Sequence, residues 1–188
     1  MNAIPAALSF RQPVQDDAVM LLAWRRLPEV TSNSFTDIDD DLDKQRAWIE
    51  RCNARNDYHH RIIQVDGVDV GYTSITITQP LWGVGSIGTY MGDRRGRTGI
   101  GALNFAPVLN HCFYTLGLRK LVNQIFADNE RVHKGQTLLG YRHVGVLRAH
   151  AVKNGVPRDV HLFEMLADDW FAIRHRFGLM ADMDGRVW

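Results

Sequence analysis

A glycine-rich segment near the middle of the chain constrains the fold most strongly. Residues 92–102 read Gly-Asp-Arg-Arg-Gly-Arg-Thr-Gly-Ile-Gly-Ala, between a predicted strand, Val84–Met91, and a predicted helix, residues 100–116. Glycines let the backbone approach a ligand closely, and the N–H groups at a helix start attract an anion. The segment therefore predicts a strand–turn–helix unit that can hold a phosphate group.

Two well-known phosphate-binding motifs do not fit this segment. A Walker A loop ends in Gly-Lys-Ser/Thr, but Thr98 follows an arginine. The dinucleotide fingerprint needs a Gly or Ala where this chain has Asn104. Taken alone, the segment is also compatible with an ordinary turn that carries exposed arginines.

Hydrophobic periodicity predicts a mixed α/β fold, with the whole chain, residues 1–188, as one domain. Asp66-Gly67 predicts a hairpin, Gly140 a helix end, and Pro107 a kink in its helix. The predicted order mixes hairpins with strand–helix–strand crossovers, which favours a mixed, mostly antiparallel sheet with helices on both faces. The predicted strands are residues 8–14, 59–65, 70–78, 84–91, 120–127, 141–151 and 160–166, and the helices 16–27, 42–52, 100–116 and 130–139.

Composition excludes several classes of function. Lys and Arg total 22 against 21 acidic residues, so bulk charge predicts neither nucleic-acid nor membrane-surface binding. The sequence has no run of 18 apolar residues and no signal-peptide pattern, and its two cysteines are expected to be reduced thiols. No His/Cys/Asp cluster has metal-ligand spacing. We expect a cytoplasmic protein without a metal.

The second half of the chain resembles the GNAT superfamily of acyl-CoA-dependent N-acyltransferases. Members have a turn of the type Arg/Gln-x-x-Gly-x-Gly/Ala, whose amides hold the CoA pyrophosphate, and a later strand that ends in Asn-Glu. An aliphatic-Gly-Phe/Tyr signature then follows eleven residues after that Asn. Here Asn129-Glu130 follows the predicted strand 120–127, and Leu139-Gly140-Tyr141 has that spacing.

Two further segments, residues 24–30 and 145–163, are similar to the subgroup of ribosomal-protein and amino-sugar-nucleotide acetyltransferases. The resemblance covers about residues 8–168. It implies a sheet with two splayed parallel strands, acetyl-CoA as cosubstrate without a metal, and direct attack by a small primary amine. A homodimer is compatible with it.

The resemblance also implies the site residues. An oxyanion donor is expected from the backbone N–H of Met91 and its neighbours, and Tyr90 and His133 are candidates for moving a proton. His59 and His60 are interpreted instead as exposed strand-end histidines. The predicted contacts to the cofactor are Met91, Arg95, Gly96, Arg97, Thr98, Gly99, Ile100, Gly101, Ala102, Asn129 and Lys134.

Three departures from the family pattern bear on this site. The position that usually carries Arg or Gln is Gly96, with an arginine on either side. A Tyr that many members use as an acid is here Gln136. The family often has a Glu on the strand before the turn, but residues 82–91 contain no acid. The general base is therefore not identified by motif.

The acceptor is expected beside residues 31–43, which carry five aspartates. Carboxylates attract a cationic amine, although a solvated charged loop explains them equally. A nucleotide-linked amino sugar, the leading acceptor, would need an arginine such as Arg25, Arg26 or Arg148 nearby. The alternatives are a protein N-terminus as acceptor, a CoA-binding module that has lost catalysis, and a phosphate-binding regulatory domain.

Overall fold

The chain forms a seven-stranded sheet in a computed structural model that describes residues 8–97 and 105–181. The strand order is β1-β2-β3-β4-β5-β7-β6. Every neighbouring pair is antiparallel except β4 and β5, which confirms the predicted mixed sheet. The strands are β1 Leu8–Arg11, β2 Tyr58–Val65, β3 Val68–Gln79, β4 Val84–Met91, β5 Lys120–Phe126, β6 Arg142–Lys153 and β7 Val156–Leu166.

Two tight turns set the register of the hairpins. Asp66 and Gly67 have φ of 50° and 76°, as a type I′ turn requires, and they join β2 to β3 as predicted. Asn154 and Gly155 make the same turn between β6 and β7. The strands predicted over residues 141–151 and 160–166 therefore extend further toward this turn, to Lys153 and from Val156. Pro157 is tolerated inside β7 because the neighbouring strand β5 ends opposite Val160. At Pro157, no residue of β5 needs a hydrogen bond from the backbone N–H that proline lacks.

The described part of the chain has six α-helices, which lie against the sheet: α1 Ala18–Arg25, α2 Pro28–Thr31, α3 Leu42–Asn53, α4 Phe105–Asn110, α5 Glu130–Leu138 and α6 Ala167–Ile173. The short α2 and the C-terminal α6 were not predicted. Pro28 is at the first position of α2, where its missing N–H costs no helical bond. Pro107 is the third residue of the described α4, and a π-helical turn, His111–Thr115, follows directly.

The hydrophobic core lies on both faces of the sheet. On one face, Leu109 of α4 and Trp170 of α6 are fully buried, and the Trp170 Nε1–H donates to Asn110 Oδ1 at 2.8 Å. On the other face, Leu21 of α1 and Ile49 of α3 pack against Tyr72 of β3. Helices therefore cover both faces, as the sequence predicts.

Candidate active site

The sheet opens between β4 and β5, the one parallel pair among the strands of residues 8–97 and 105–181. β4 and β5 pair through two positions, Val84 with Lys120 and Gly85 with Leu121. Beyond them, β4 stays paired with β3 up to Met91, and β5 stays paired with β7 up to Phe126. We call the space between residues 86–91 and 122–126 the gap.

The backbone of β4 directs hydrogen-bond donors into the gap. Gly92, directly after β4, donates its N–H to Val70 O at 3.0 Å, toward β3. Because N–H direction alternates along an antiparallel ladder, Ile87, Thr89 and Met91 direct theirs away from β3. The predicted donor, Met91, thus has its amide on the gap side, and Thr89 shares that orientation.

A buried asparagine joins the two strands at the base of the gap. The N–H of Ile87 donates to Asn123 Oδ1 at 3.0 Å, and Asn123 Nδ2 donates to Gln136 Oε1 at 3.2 Å. Asn123 and Gln136 are both buried. Gln136, which stands where many family members have a Tyr, is therefore part of a structural bridge, and its neutral amide supplies no acid.

Gly96 lies in close contact with the side chain of Met91. A Cβ on Gly96 would lie 2.8 Å from Met91 Sδ, and a Cβ on Gly71 would lie 2.6 Å from the same sulfur. The thioether is thus held between two glycines, and the Arg or Gln usual in the family does not fit at Gly96 without displacing it.

The turn after β4 is organised by Asp93. Its Oδ1 accepts the Arg95 backbone N–H at 2.8 Å and the Arg95 Nε–H at 3.0 Å. These bonds raise the pKa of Arg95. Of the other predicted contacts, Arg97 ends the described part of the turn, while Thr98, Gly99, Ile100, Gly101 and Ala102 lie outside the described residues.

The end of β5 and the start of α5 hold the remaining predicted residues. Asn129 Oδ1 accepts the Val132 N–H at 3.4 Å and caps α5, while Lys134 is exposed and pairs with Glu130 at 3.9 Å. His133 Nε2 donates to Phe126 O at 3.0 Å, so that nitrogen carries the hydrogen. Because Nε2 of His133 already carries a hydrogen, this nitrogen cannot accept a proton as a general base.

Tyr90 points to the face that α1 and α3 cover. Its ring stacks on Tyr72 with centroids 5.2 Å apart. Burial raises the pKa of Tyr90, and the nearby charge of Arg25 opposes that shift. Tyr90 therefore keeps its proton at neutral pH and can donate a hydrogen bond, but it is not a base.

The interpretation of His60 as an exposed histidine is wrong, since only 2% of it is exposed. Its Nδ1 lies 3.0 Å from Tyr72 Oη and its Nε2 lies 2.9 Å from Asn53 Oδ1, while Tyr58 Oη lies 2.9 Å from Tyr72 Oη. Burial lowers the pKa of His60 to about 4. The alternation of side chains along β2 predicts this burial, because Tyr58, His60 and Ile62 lie on the same face of the strand.

The aspartates of the acceptor-side loop are held by other residues of this chain. Asp37 pairs with Lys153 of β6, Asp39 with Lys44 at 2.6 Å, Asp40 with Arg26 at 2.7 Å, and Asp43 with Arg46 at 3.1 Å, while Asp41 caps α3. Each carboxylate thus has a partner, which favours the interpretation of these residues as a structural charged loop.

The same loop is fastened to the β6–β7 hairpin. The ring of Phe35 stacks on Phe126, with centroids 4.4 Å apart, and the Arg158 guanidinium lies 3.9 Å from the centroid of Phe126. Arg158 also donates to Ser32 O at 2.8 Å and pairs with Asp128. Loop and hairpin therefore meet at the C-terminal end of β5, beside the gap.

Arg25, at the end of α1, has a partly unsatisfied guanidinium. Its Nη2 donates to Thr36 O at 2.7 Å and to Thr36 Oγ1 at 2.9 Å. Its Nη1 is buried, with no hydrogen-bond partner among the described residues. A buried cationic donor without an acceptor is costly, so this atom is an unsatisfied group beside the acceptor-side loop.

The described residues offer neither a metal-binding cluster nor a membrane-spanning helix. Residues 8–97 and 105–181 hold no group of three or more His, Cys, Asp or Glu side chains placed to bind a metal ion. Within the same ranges, no helix has the length and apolarity needed to cross a membrane.

The family model described as acetyltransferase (GNAT) domain matches residues 7–142, which is most of the chain. The protein therefore belongs to the GNAT acetyltransferase family. As a member of this family it is an acyltransferase that uses acetyl-CoA.

Individual relatives are more distant. The chain is 29% identical over 70 residues to the uncharacterized N-acetyltransferase YoaA of Bacillus subtilis, and the match spans 37% of this chain and 40% of that protein. The chain is similar in structure to a spermidine N-acetyltransferase from Vibrio cholerae, solved in complex with CoA and spermine. The TM-score is 0.81 and the sequence identity is 14%. The superposition covers 87% of this chain and 98% of that enzyme's chain. A dodecameric form of that enzyme gives a TM-score of 0.74 at 14% identity, over 87% and 95% of the chains. At such identities these structures establish the fold.

Proposed function

We propose that this enzyme acetylates the primary amine of an amino sugar, most favourably one linked to a nucleotide. The observation that carries the acetyl-transfer site is the gap, where Thr89 and Met91 of β4 direct their amides toward β5. These amides, Asn129 and the turn after β4 would hold acetyl-CoA, which supplies an activated acetyl group when bound.

The chain's own contribution to the transfer is electrostatic. As an amine attacks a thioester, negative charge develops on the carbonyl oxygen, and amide donors fixed in advance stabilise that charge. The N–H of Ile87 is engaged by Asn123, so Thr89 is the first amide beyond the bridge. We assign Thr89 and Met91 as the donors that face this oxygen.

The proposed acceptor class follows from charge. The aspartates of the acceptor-side loop already have partners, whereas the buried Nη1 of Arg25 lacks one among the described residues. The phosphate of a nucleotide-linked acceptor would accept a hydrogen bond from that nitrogen, since guanidinium groups bind phosphate oxygens well. This supports a nucleotide-linked amino sugar over a purely cationic amine.

The lack of an acid on β4 agrees with such an acceptor. Residues 82–91 contain no carboxylate, and Tyr90 keeps its proton. A lysine-like amine has a pKa near ~10, and amino sugars are less basic, so they lose their proton with less help. We infer that a water molecule takes that proton, with backbone groups assisting by hydrogen bonds and without a single strand carboxylate as base.

A polyamine is the second candidate acceptor. It is favoured by the similarity in fold to spermidine N-acetyltransferases and by the acidic loop. Recognition of a polyamine by this loop would need carboxylates that are now held by Lys153, Arg26 or Lys44 to exchange partners.

An acceptor panel tests the proposal. Release of the CoA thiol and product mass are followed with amino-sugar nucleotides, free amino sugars, spermidine and N-terminal peptides. We expect the highest kcat/KM for an amino-sugar nucleotide. Higher turnover of spermidine would establish the second candidate, and preference for a peptide would contradict both.

Arg25 provides a matched pair of variants. Arg25→Gln should raise the KM for a phosphate-bearing acceptor about tenfold or more and leave the KM for the free amino sugar almost unchanged, because it removes a charge-assisted hydrogen bond. Arg26→Gln, which loses only the exposed pair with Asp40, is the control. An equal effect of Arg25→Gln on both acceptors would contradict the assignment.

A further inference from the structure

We propose that three stacked histidines, His133, His161 and His143, hold α5 against β6 and β7 only while their rings are uncharged, so that acidification weakens the binding of acetyl-CoA. We call these three side chains the histidine stack. The inference goes beyond the proposed acceptor, because it concerns the cofactor alone. It assigns a pH-dependent role to side chains that have no part in the proposed acetyl transfer.

The histidine stack joins a helix to two strands. The ring of His133 on α5 lies on the ring of His161 on β7, with centroids 4.4 Å apart and an angle of 21° between the planes. The ring of His143 on β6 has its centroid 4.9 Å from that of His161. Phe163 of β7 contacts both His133 and His143, with centroids 5.5 and 5.1 Å away. His161 is therefore flanked by an imidazole from α5 and another from β6.

Two sets of hydrogen bonds connect α5 to the gap. His133 Nε2 donates to Phe126 O, at the end of β5, at 3.0 Å. Gln136 is three residues further along α5, so it lies on the same side of the helix as His133. Gln136 Oε1 accepts from Asn123, which in turn accepts the Ile87 N–H. The position of α5 therefore affects both the base of the gap and its end at Phe126.

The histidine stack and Asn123 lie on the same face of the sheet, because Phe163 is opposite both Asn123 and His143. His143 is exposed, and His133 and His161 are half-buried. Solvent therefore reaches the rings, and the stack can take up protons without any unfolding of the chain.

The charged groups around the histidine stack come from β7, β6 and α5, since β5 places the uncharged Ile125 opposite His161. The Asp159 carboxylate of β7 already accepts the Ala149 N–H at 2.7 Å. The others are Arg142 of β6, which pairs with Glu164 on the opposite face, Arg148 in the bulge of β6, and the Glu130–Lys134 pair of α5.

Charged imidazoles disfavour one another in this arrangement. Two protonated rings in the stack would lie 4.4 or 4.9 Å apart and would repel. The pKa of His161 is lowered, first by burial and then by His133 and His143, while Asp159 opposes the shift. A separated histidine has a pKa of about 6.5, so the separated state takes up protons first as pH falls. The stack is thus most stable above pH ~6.5 and is weakened in acid.

Separation of the rings removes one of the contacts that hold α5 over β5. The Gln136–Asn123 bond and the His133–Phe126 bond are then no longer held in place, and the gap loses the shape that acetyl-CoA needs. Acidification should therefore act on cofactor affinity, and it needs no charged group in the gap itself.

The first test is an NMR titration of the histidines in the full chain. The midpoint of His161 should lie below that of His150, an exposed histidine of β6 outside the stack. In His143→Phe, which keeps a ring but removes one neighbouring charge, the midpoint of His161 should rise toward that of His150. Equal midpoints for His161 and His150 in the wild-type chain would overturn the inference.

The second test is calorimetry with acetyl-CoA at pH 7.5 and 5.5, with circular dichroism to verify that each variant is folded at both values. His161→Phe keeps an aromatic ring in the middle of the stack and cannot be charged. The ratio of the Kd at pH 5.5 to the Kd at pH 7.5 should be about three- to tenfold larger for the wild type than for His161→Phe. Titration of the ligand itself cancels in this comparison. His150→Phe, the control, should keep the wild-type ratio.

The outcomes separate this inference from the proposed function. Equal Kd ratios in the wild type and His161→Phe, or the same reduced ratio in His150→Phe, would overturn the inference and leave the proposed acceptor untouched, because neither measurement uses an amine. Failure of the acceptor panel would overturn the proposed function and leave the histidine stack as described.

Discussion

The side-chain oxygen of Asn123 accepts the backbone N–H of Ile87 at 3.0 Å, just beyond the point where β4 and β5 stop pairing. The bond takes the place of a ladder bond that the diverging strands no longer make. Because the asparagine is also bonded to Gln136 of α5, the width at the base of the gap is fixed by one buried side chain.

Replacing that side chain should affect stability and cofactor binding together. Asn123→Ala leaves the Ile87 N–H and the Gln136 amide without partners, so we expect a loss of about 1–3 kcal/mol in the free energy of unfolding. The affinity for acetyl-CoA should fall as well, measured by calorimetry. Gln124→Ala, at the exposed neighbouring position, is the control. Full affinity in Asn123→Ala would show that the bridge does not shape the gap.

The backbone N–H of Thr89 points into the gap and makes no hydrogen bond to β3. A substitution that eliminates this N–H therefore leaves the β3–β4 pairing intact. Thr89→Pro lacks this N–H, and the preceding Gly88 has no Cβ to clash with the proline ring. We expect kcat to fall about 10²–10³-fold, as for other lost oxyanion donors. Thr89→Val keeps the N–H and loses only the hydroxyl contact to Thr73, so it should stay close to wild type. Similar losses in both variants would exclude the amide as the donor.

His60 makes stability depend on pH in a defined window. Its pKa is about 4 when folded, against about 6.5 in an unfolded chain, so the unfolded state takes up a proton first as pH falls. The stability that neutral His60 contributes is complete above pH ~6.5 and is lost toward pH ~4, by about 3 kcal/mol in total. Denaturant titrations at pH 7 and 5 should show a smaller difference for His60→Gln than for wild type. His175→Gln, at an exposed position, should retain the wild-type difference.

The glycine turn yields a prediction from the sequence alone, since Gly99 and Gly101 lie outside the described residues. Side chains there would keep the backbone from approaching a pyrophosphate. Gly99→Val and Gly101→Val should each weaken acetyl-CoA binding severely in calorimetry, while Gly117→Ala, just before the start of β5 at the opposite end of the sheet, should not. Unchanged affinity in both valine variants would remove the turn from the cofactor site.

Local patterns in the sequence were sufficient for most of the fold. Alternation and the Asp66-Gly67 turn predict the β2–β3 hairpin, and Gly140, with φ of 91°, ends α5 as expected. β1 ends at Arg11, earlier than predicted, and β7 begins at Val156, earlier than predicted. Pro157 is acceptable inside β7 only because the neighbouring strand has ended there, and that is a property of the assembled sheet.

The site was less predictable because its contacts join distant segments. His60 has an ordinary pattern in its own strand, and its partners Asn53 and Tyr72 come from α3 and β3. Gln136 was recognised as a missing tyrosine, but its bond to Asn123 depends on how α5 lies on β5. Gly96 departs from the family pattern, and its close contact with the Met91 thioether is evident only in three dimensions.

The fastening of the acceptor-side loop to the hairpin has an evolutionary consequence. Asp37 and Lys153, which pair, are 116 positions apart in the chain, and Arg158 reaches Ser32 over a longer separation. Neither segment can change its shape alone without breaking these contacts. Acceptor preference in this lineage should therefore change through paired substitutions in loop and hairpin, and a loop transplanted from a relative should work only when its own hairpin is transplanted with it.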